Sequence, residues 1–145
     1  MRRGSLLLLA ICGCAVGAGD ATPDAGDTSF VGNWIGSLTV TEAGQSATSP
    51  ANIFVATNSA GQVLIAPLCP DNSSGGIANP TSATTFSFIP TSCPPGGASD
   101  CPSAILSFGS GTGSLSNGTF SFTIAASLQG CGQIQPVTLT FTGHR

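Results

Sequence analysis

Charged side chains are scarce in this chain of 145 residues. It contains no lysine, three arginines, five aspartates and one glutamate, and the formal net charge is −3. A protein that neutralises phosphates needs clustered Lys and Arg, so the composition excludes nucleic acid as a partner. The folded part would not be drawn to an anionic lipid surface by its charge either.

Groups that carry catalysis or hold metals are also few. The chain has no tyrosine and one histidine, His144, whose penultimate position predicts a mobile side chain. Glu42, Asp71 and Asp100 are too few and too scattered for a carboxylate pair or a calcium cage. No Cys-x-x-Cys pair is present, and no histidine lies near a cysteine, so zinc ligation lacks its usual local spacing. We therefore predict a protein that is not an enzyme and binds no cofactor or metal.

Helical periodicity is absent from residue 30 onward, where apolar and polar residues alternate instead. Thr119 to Ile124 and Val137 to Thr142 place apolar residues on one face and hydroxyls on the other, which is typical of half-buried strands. Similar runs predict strands at 34–40, 53–56, 63–68, 86–89 and 104–108, giving seven or eight in all. The prediction is one all-β domain over residues 30–145.

Turn residues separate these runs. The segments 57–61 and 116–118 contain Asn and Gly, which tolerate the positive φ of hairpin turns, so consecutive strands should pair as an antiparallel meander. The glycine-rich stretch 109–114 lacks a lysine and a following helix, and predicts a bent or bulged strand rather than a phosphate-binding loop. Segments 72–83 and 92–102 are expected to be long irregular loops, either binding loops or variable surface.

Cysteines are even in number after the amino-terminal region: Cys69, Cys93, Cys101 and Cys131. In an exported chain such a set predicts two disulfides. Three pairings are open; we favour Cys93 with Cys101, closing a short loop, and Cys69 with Cys131.

The first fourteen residues combine Arg2 and Arg3, an apolar run and Cys12-Gly13-Cys14. This is an export signal, and its apolar run is too short to span a bilayer. Ile11-Cys12-Gly13-Cys14 resembles the end of bacterial lipoprotein signal peptides, in which the last cysteine becomes lipidated. The resemblance implies a signal peptide over residues 1–13 and lipidation of Cys14. Cys12 is the competing attachment site, and an ordinary secretory signal cut near Ala18 is the remaining alternative.

Residues 14–29 form the lipidated cysteine and its tether, which is rich in Gly and Ala, contains Asp20, Asp24 and Asp27, and has little to bury. About fifteen residues of random coil reach on the order of 20 Å, enough to hold a domain clear of the headgroups. Ala15 is not acidic, so nothing marks retention at the inner membrane. The lipoprotein resemblance then implies an outer-membrane protein on the periplasmic or surface face, with secretion as the alternative.

Gly32-Asn33-Trp34 opens the first strand, and Gly-x-Trp at that position resembles the calycin group of lipocalin-like up-and-down barrels. In that family a basic residue after the last strand packs on the tryptophan, so the resemblance implies a stack of Arg145 on Trp34. The disulfide and helix landmarks of lipocalins are absent here. The expected fold is a small antiparallel barrel, with a two-sheet sandwich as the alternative.

Six phenylalanines alternate inward and would crowd so small a barrel: Phe86, Phe88, Phe108, Phe120, Phe122 and Phe141. They read as core, leaving room for one small apolar ligand at most. We expect a monomer that is one of three things: a carrier of such a ligand, a surface module that binds a protein, or a structural component of the envelope.

Overall fold

A computed structural model describes residues 29–72, 75–96 and 101–145 of the chain. The predicted signal peptide, Cys12, Cys14 and all but the last residue of the tether lie outside these residues, as does Asp100. Nine strands follow in chain order: β1 Gly32–Glu42, β2 Gln45–Thr57, β3 Val63–Ala66, β4 Gly76–Pro80, β5 Thr85–Ile89, β6 Thr91–Ser92, β7 Ile105–Ser116, β8 Thr119–Gly130 and β9 Gln133–His144. The described residues contain no helix.

The strands form one antiparallel sheet that closes into a ring. Each strand pairs with the next along the chain from β1 to β5, β5 continues to β7, and β7 pairs with β8 and β8 with β9. The last strand then pairs with the first over eight residues, Ile35 opposite His144 through Glu42 opposite Val137. The fold is therefore the predicted up-and-down barrel, and the sandwich alternative is wrong.

One wall of the barrel is broken at Pro90. Both β5 and β6 pair with β7, and Pro90 between them has no backbone N–H to donate to the ladder. Opposite the break, the register of β7 against β8 shifts between Phe108 and Gly111. The predicted bulge in the glycine-rich stretch is thereby confirmed, and the nine strands occupy eight positions around the ring.

The predicted loops and strand bounds differ most from the structure at β4 and β2. β4 lies inside the segment 72–83, for which the sequence predicts an irregular loop. Only Ile77 and Ala78 of this strand are aliphatic, and two such residues give too little alternation to predict a strand. β2 begins at Gln45, whereas the predicted strand begins at Ile53. Its first six residues carry no strand signal because they are exposed and polar or small. Pairing with β1 holds these residues extended, and their side chains do not signal it.

The barrel has two dissimilar ends. At the Trp34 end, short turns at 58–62, 81–84 and 117–118 join the strands, and residue 29 enters the domain beside Arg145. At the disulfide end lie the hairpin turns Ala43-Gly44 and Cys131-Gly132 and the loops 67–75 and 90–104. Asn117-Gly118 has positive φ at both residues, as predicted for its hairpin. No helix in the described ranges is long and apolar enough to cross a bilayer.

Candidate functional site

Trp34 and Arg145 meet at one end of the barrel, as the calycin resemblance implies. The guanidinium carbon of Arg145 lies 4.5 Å from the centroid of the Trp34 ring, within cation–π distance. The indole is 1% exposed, and its Nε1 donates a hydrogen bond to the carbonyl of Phe30 at 2.9 Å. Pairing of the first and last strands brings these two residues together.

Arg145 also holds the chain that enters the barrel. Its Nη2 donates to the carbonyls of Ser29 and Val31, the latter at 2.6 Å. Gly32 has φ +146°, and a Cβ at this position would lie 3.1 Å from Nε of Arg145. Glycine therefore provides both the backbone conformation and the space for the guanidinium. The Arg145 side chain therefore links the first residues of the domain to its last residue, and it is not simply a solvated terminal charge.

Aromatic rings occupy the interior of the barrel. Phe120 stacks on Trp34 with ring centroids 5.0 Å apart and on Phe86 at 5.6 Å, and Phe122 stacks on Phe141 at 5.4 Å. Phe30 adds an edge contact to Phe86 at 5.2 Å. All six phenylalanines predicted to point inward are at most 6% exposed. A chain of rings in mutual contact fills the space in which a lipocalin-like carrier would hold its ligand.

Glycines make this filling possible. A Cβ on Gly113 of β7 would lie 2.0 Å from Cζ of Phe86, and one on Gly143 of β9 would lie 2.5 Å from Cζ of Phe141. The ring of Phe86 therefore packs directly against the backbone of β7, and the ring of Phe141 against the backbone of its own strand, β9. These two glycines make room for the core.

Two disulfides bind the loops at the disulfide end, and their pairing differs from our prediction. Cys69 is bonded to Cys93 and Cys101 to Cys131, with Cα atoms 5.5 and 6.1 Å apart. The predicted pairs of Cys93 with Cys101 and of Cys69 with Cys131 are wrong. Proximity in sequence was the basis for the first pair, and strand pairing overrides it.

Backbone hydrogen bonds show why. Cys93 extends the edge made by β6, because its N–H donates to the carbonyl of Leu106 at 2.8 Å. Cys101 instead lies against the β8–β9 hairpin, where a Cβ on Gly130 would come within 2.9 Å of its sulfur. Cys93 and Cys101 thus lie against different neighbours, and each sulfur meets a partner from a different loop.

The titratable residues singled out from the sequence do not assemble into a catalytic group. His144 belongs to β9, contrary to the expected mobility, and its exposed Nδ1 lies 3.3 Å from Oγ1 of Thr119. It is paired with Ile35 in β1, and Glu42 lies seven residues further along that strand, about 23 Å away. Asp71 follows Cys69 at the disulfide end. The described residues contain no group of three His, Cys, Asp or Glu that could hold a metal.

The fold perturbs the titration of Glu42. It alternates with Val40 on the inward face of β1, near the mouth of the barrel at the disulfide end. Partial burial raises the pKa of Glu42 above its ordinary value of 4.5, because desolvation disfavours the charged form.

Hydroxyl side chains cover much of the outer wall. Thr39, Thr140, Thr123 and Thr112 lie opposite one another across four adjacent strands. A shallow depression of about 540 Å³ lies over β5, β7, β8 and β9, lined chiefly by Ser and Thr. Several of these hydroxyls bond across the strands, as Thr39 does to Thr48 at 2.8 Å. Such cross-strand pairs stabilise the sheet. Phe86 and Phe122 also line the depression, but both are at most 3% exposed, and no charged side chain lines it to orient a ligand.

Exposed apolar side chains were not recognised in the sequence, and three of them lie together. Val31, Ile35 and Phe54 are 42%, 55% and 52% exposed. Phe54 of β2 is paired with Asn33, so Phe54 and Ile35 lie on the outer face of the sheet, and Val31 lies two residues before Asn33, at the same end of the barrel. We call them the apolar patch. A fourth exposed apolar residue, Ile134, follows the Cys131-Gly132 turn at the opposite end. The available signal in the sequence was Phe54 itself: it is apolar and stands between the buried Ile53 and Val55, where strict alternation would place a polar residue.

No protein-family model matches this chain, and no curated protein is similar to it. Among solved structures, the chain is similar to a provisionally named outer membrane protein from Bacteroides fragilis, with a TM-score of 0.49 and 12% sequence identity. The match covers 80% of this chain and 51% of that protein. This likeness is too distant to identify a family, and the function has to be argued from the barrel itself.

Proposed function

We propose that this protein is an exported lipoprotein of the cell envelope, anchored through Cys14, whose barrel is a non-catalytic interaction or structural module. The observation that carries the proposal is the chain of aromatic rings along the barrel interior, from Phe30 through Phe86 and Phe120. With that interior occupied, the outer surface is what the domain offers to other molecules. The filled interior favours this module over a carrier of a small apolar ligand.

Three further features support export and a role without catalysis. Two disulfides in a chain of this size are typical of an oxidising compartment. The resemblance of Ile11 to Cys14 to a lipoprotein signal supplies the anchor, and several acyl chains would hold the protein on a membrane. His144 and Glu42 lie about 23 Å apart along β1, too far to act together as an acid and base pair.

Native mass spectrometry of the full-length protein, extracted from membranes in mild detergent, tests the absence of a ligand. We expect the mass of the acylated polypeptide alone, unchanged apart from protons after denaturation. Release of an additional small molecule on denaturation would contradict the proposal and support the carrier.

Replacement of the lipidated cysteine tests the anchor. Cys14→Ser should move the protein from membrane to soluble fractions, and the matched variant Cys12→Ser should leave it on the membrane. Continued membrane retention of Cys14→Ser with an unchanged mass would refute lipidation of Cys14. Release by Cys12→Ser alone would assign the attachment to Cys12.

A further inference from the structure

We infer that the apolar patch of Val31, Ile35 and Phe54 docks on the phospholipid bilayer to which the chain is anchored. The inference deepens the proposed function and rests on it, because it requires the lipid on Cys14. The domain would then rest on the membrane along the outer face of β1 and β2, instead of being held clear of the headgroups by the tether.

The first support is the place where the tether joins the domain. The tether of about fifteen residues between Cys14 and Ser29 leads directly into Val31, which is itself part of the patch. Arg145 fixes that entry point through the carbonyls of Ser29 and Val31. With a reach on the order of 20 Å, the tether keeps the patch at a high effective concentration next to the bilayer. A contact too weak to bind a membrane by itself is then sufficient.

The second support is the composition of the patch. Ile35 is an outward residue of β1, Phe54 is an outward residue of β2, and Val31 immediately precedes β1; each is about half exposed. The side chains opposite and between them are uncharged amides, Asn33 and Asn52. Exposed aromatic and aliphatic groups at one edge of a domain are the groups that enter the headgroup and acyl boundary of a bilayer.

The third support is the distribution of charge. Within the described residues, the two carboxyl groups, Glu42 and Asp71, both lie at the disulfide end, whereas Arg145 and His144 lie at the Trp34 end. His144 is exposed and is paired with Ile35 of the patch itself. Among the described residues, the end that carries the patch therefore presents no side-chain carboxylate to lipid phosphates, and the opposite end does.

A tryptophan placed in the patch measures the contact with lipid directly. The full-length lipidated protein is reconstituted in phosphatidylcholine vesicles with or without bromine on the acyl chains near the headgroups. Phe54→Trp adds an indole to the patch, and Ile134→Trp adds one at an apolar site at the far end that is even more exposed, 70% against 52%. The emission of the buried Trp34, measured in the parent protein, is subtracted from both.

We expect bromine to lower the added emission of Phe54→Trp by about half and to leave that of Ile134→Trp almost unchanged. Flotation of the vesicles on a density gradient is recorded on the same samples. If the protein floats and neither indole is quenched, or both are quenched equally, docking through the patch is wrong while the anchor stands. Failure to float would refute the anchor, and the docking inference falls with it.

Discussion

The two ends of the barrel are closed by different means. At the Trp34 end, short turns join the strands, and Phe30, Trp34 and Arg145 cover the opening through ring contacts, a cation–π contact and hydrogen bonds to carbonyls. At the disulfide end, the described residues of the loops 67–75 and 90–104 bury few large side chains, and two covalent bonds hold these loops in place. Packing suffices where bulky residues converge, and cross-links replace it where Pro, Gly and Ser predominate.

This contrast predicts how each end fails. Loss of a ring at the Trp34 end leaves a cavity that rigid neighbouring strands cannot collapse into. Loss of a disulfide leaves the folded structure largely intact and frees the unfolded chain instead. The variants below separate these effects, in order of decreasing expected size.

Phe120→Ala should be the most damaging single change. Phe120 is fully buried and stacks on both Trp34 and Phe86, so we expect a loss of about 3–5 kcal/mol in the free energy of unfolding. Urea denaturation followed by the fluorescence of Trp34 measures it. The same substitution at the half-exposed Phe54 is the matched control and should cost less than about 1 kcal/mol. Equal losses at the two positions would contradict the role assigned to the filled interior.

Replacing Cys101 and Cys131 together with alanine should cost about 3–4 kcal/mol, because the bond closes a separation of 30 residues in the unfolded chain. The Cys69/Cys93 double variant, with a separation of 24, should lose nearly as much. Trp34 fluorescence of either folded variant should match the parent, since both bonds lie at the other end. Peptide mapping without reduction tests the pairing, and a peptide linking Cys93 to Cys101 would contradict the structure.

Arg145→Ala should weaken the Trp34 end by about 1–2 kcal/mol through loss of the stack and of the bonds to two carbonyls. A red shift of Trp34 emission should accompany the loss as water reaches the ring. The neighbouring His144→Ala serves as control and should stay within about 0.5 kcal/mol of the parent, because its side chain is exposed. If Arg145→Ala changed neither the free energy of unfolding nor the Trp34 emission, the contacts of Arg145 would contribute nothing to closing the Trp34 end.

Glu42→Gln should give the smallest effect, at the disulfide end. Because the folded-state pKa of Glu42 is raised, the folded protein binds the proton more tightly than the unfolded chain, and stability falls as pH rises above 4.5 through the folded-state pKa. The variant removes this decline. Urea midpoints of parent and variant measured across that window should diverge toward higher pH, with the variant the more stable. A parent that gains stability relative to the variant as pH rises would reverse the sign of the shift.

Features that depend on alternation or turn chemistry could be predicted from the sequence. Phe120, Phe122 and Ile124 alternate with hydroxyl residues and do form the inner face of β8, and Asn117-Gly118 does make its hairpin. β4 and residues 45–50 of β2 could not be predicted, because partner strands rather than their own side chains determine their conformation. The disulfide pairing failed for the same reason, since it depends on which loops the closed ring brings together.

The candidate surface was the part least accessible from sequence. Val31, Ile35 and Phe54 look like ordinary strand residues, and only the register of β1 against β2 shows that they point outward together. Trp34 and Arg145, by contrast, could be linked in advance, because a closed meander makes its first and last strands neighbours. Long-range geometry was predictable where topology alone determined it.

The seam between β1 and β9 also determines when this protein can finish folding. β1 can pair with β2 as soon as the first hairpin has formed, but its other edge has no partner until β9, Gln133–His144, is available. With the export proposed above, a chain released from its amino terminus would therefore have an incomplete sheet for almost the whole of translocation. Any factor that shields nascent envelope proteins would have to cover the free edge of β1 during that interval, and would be released when the ring closes.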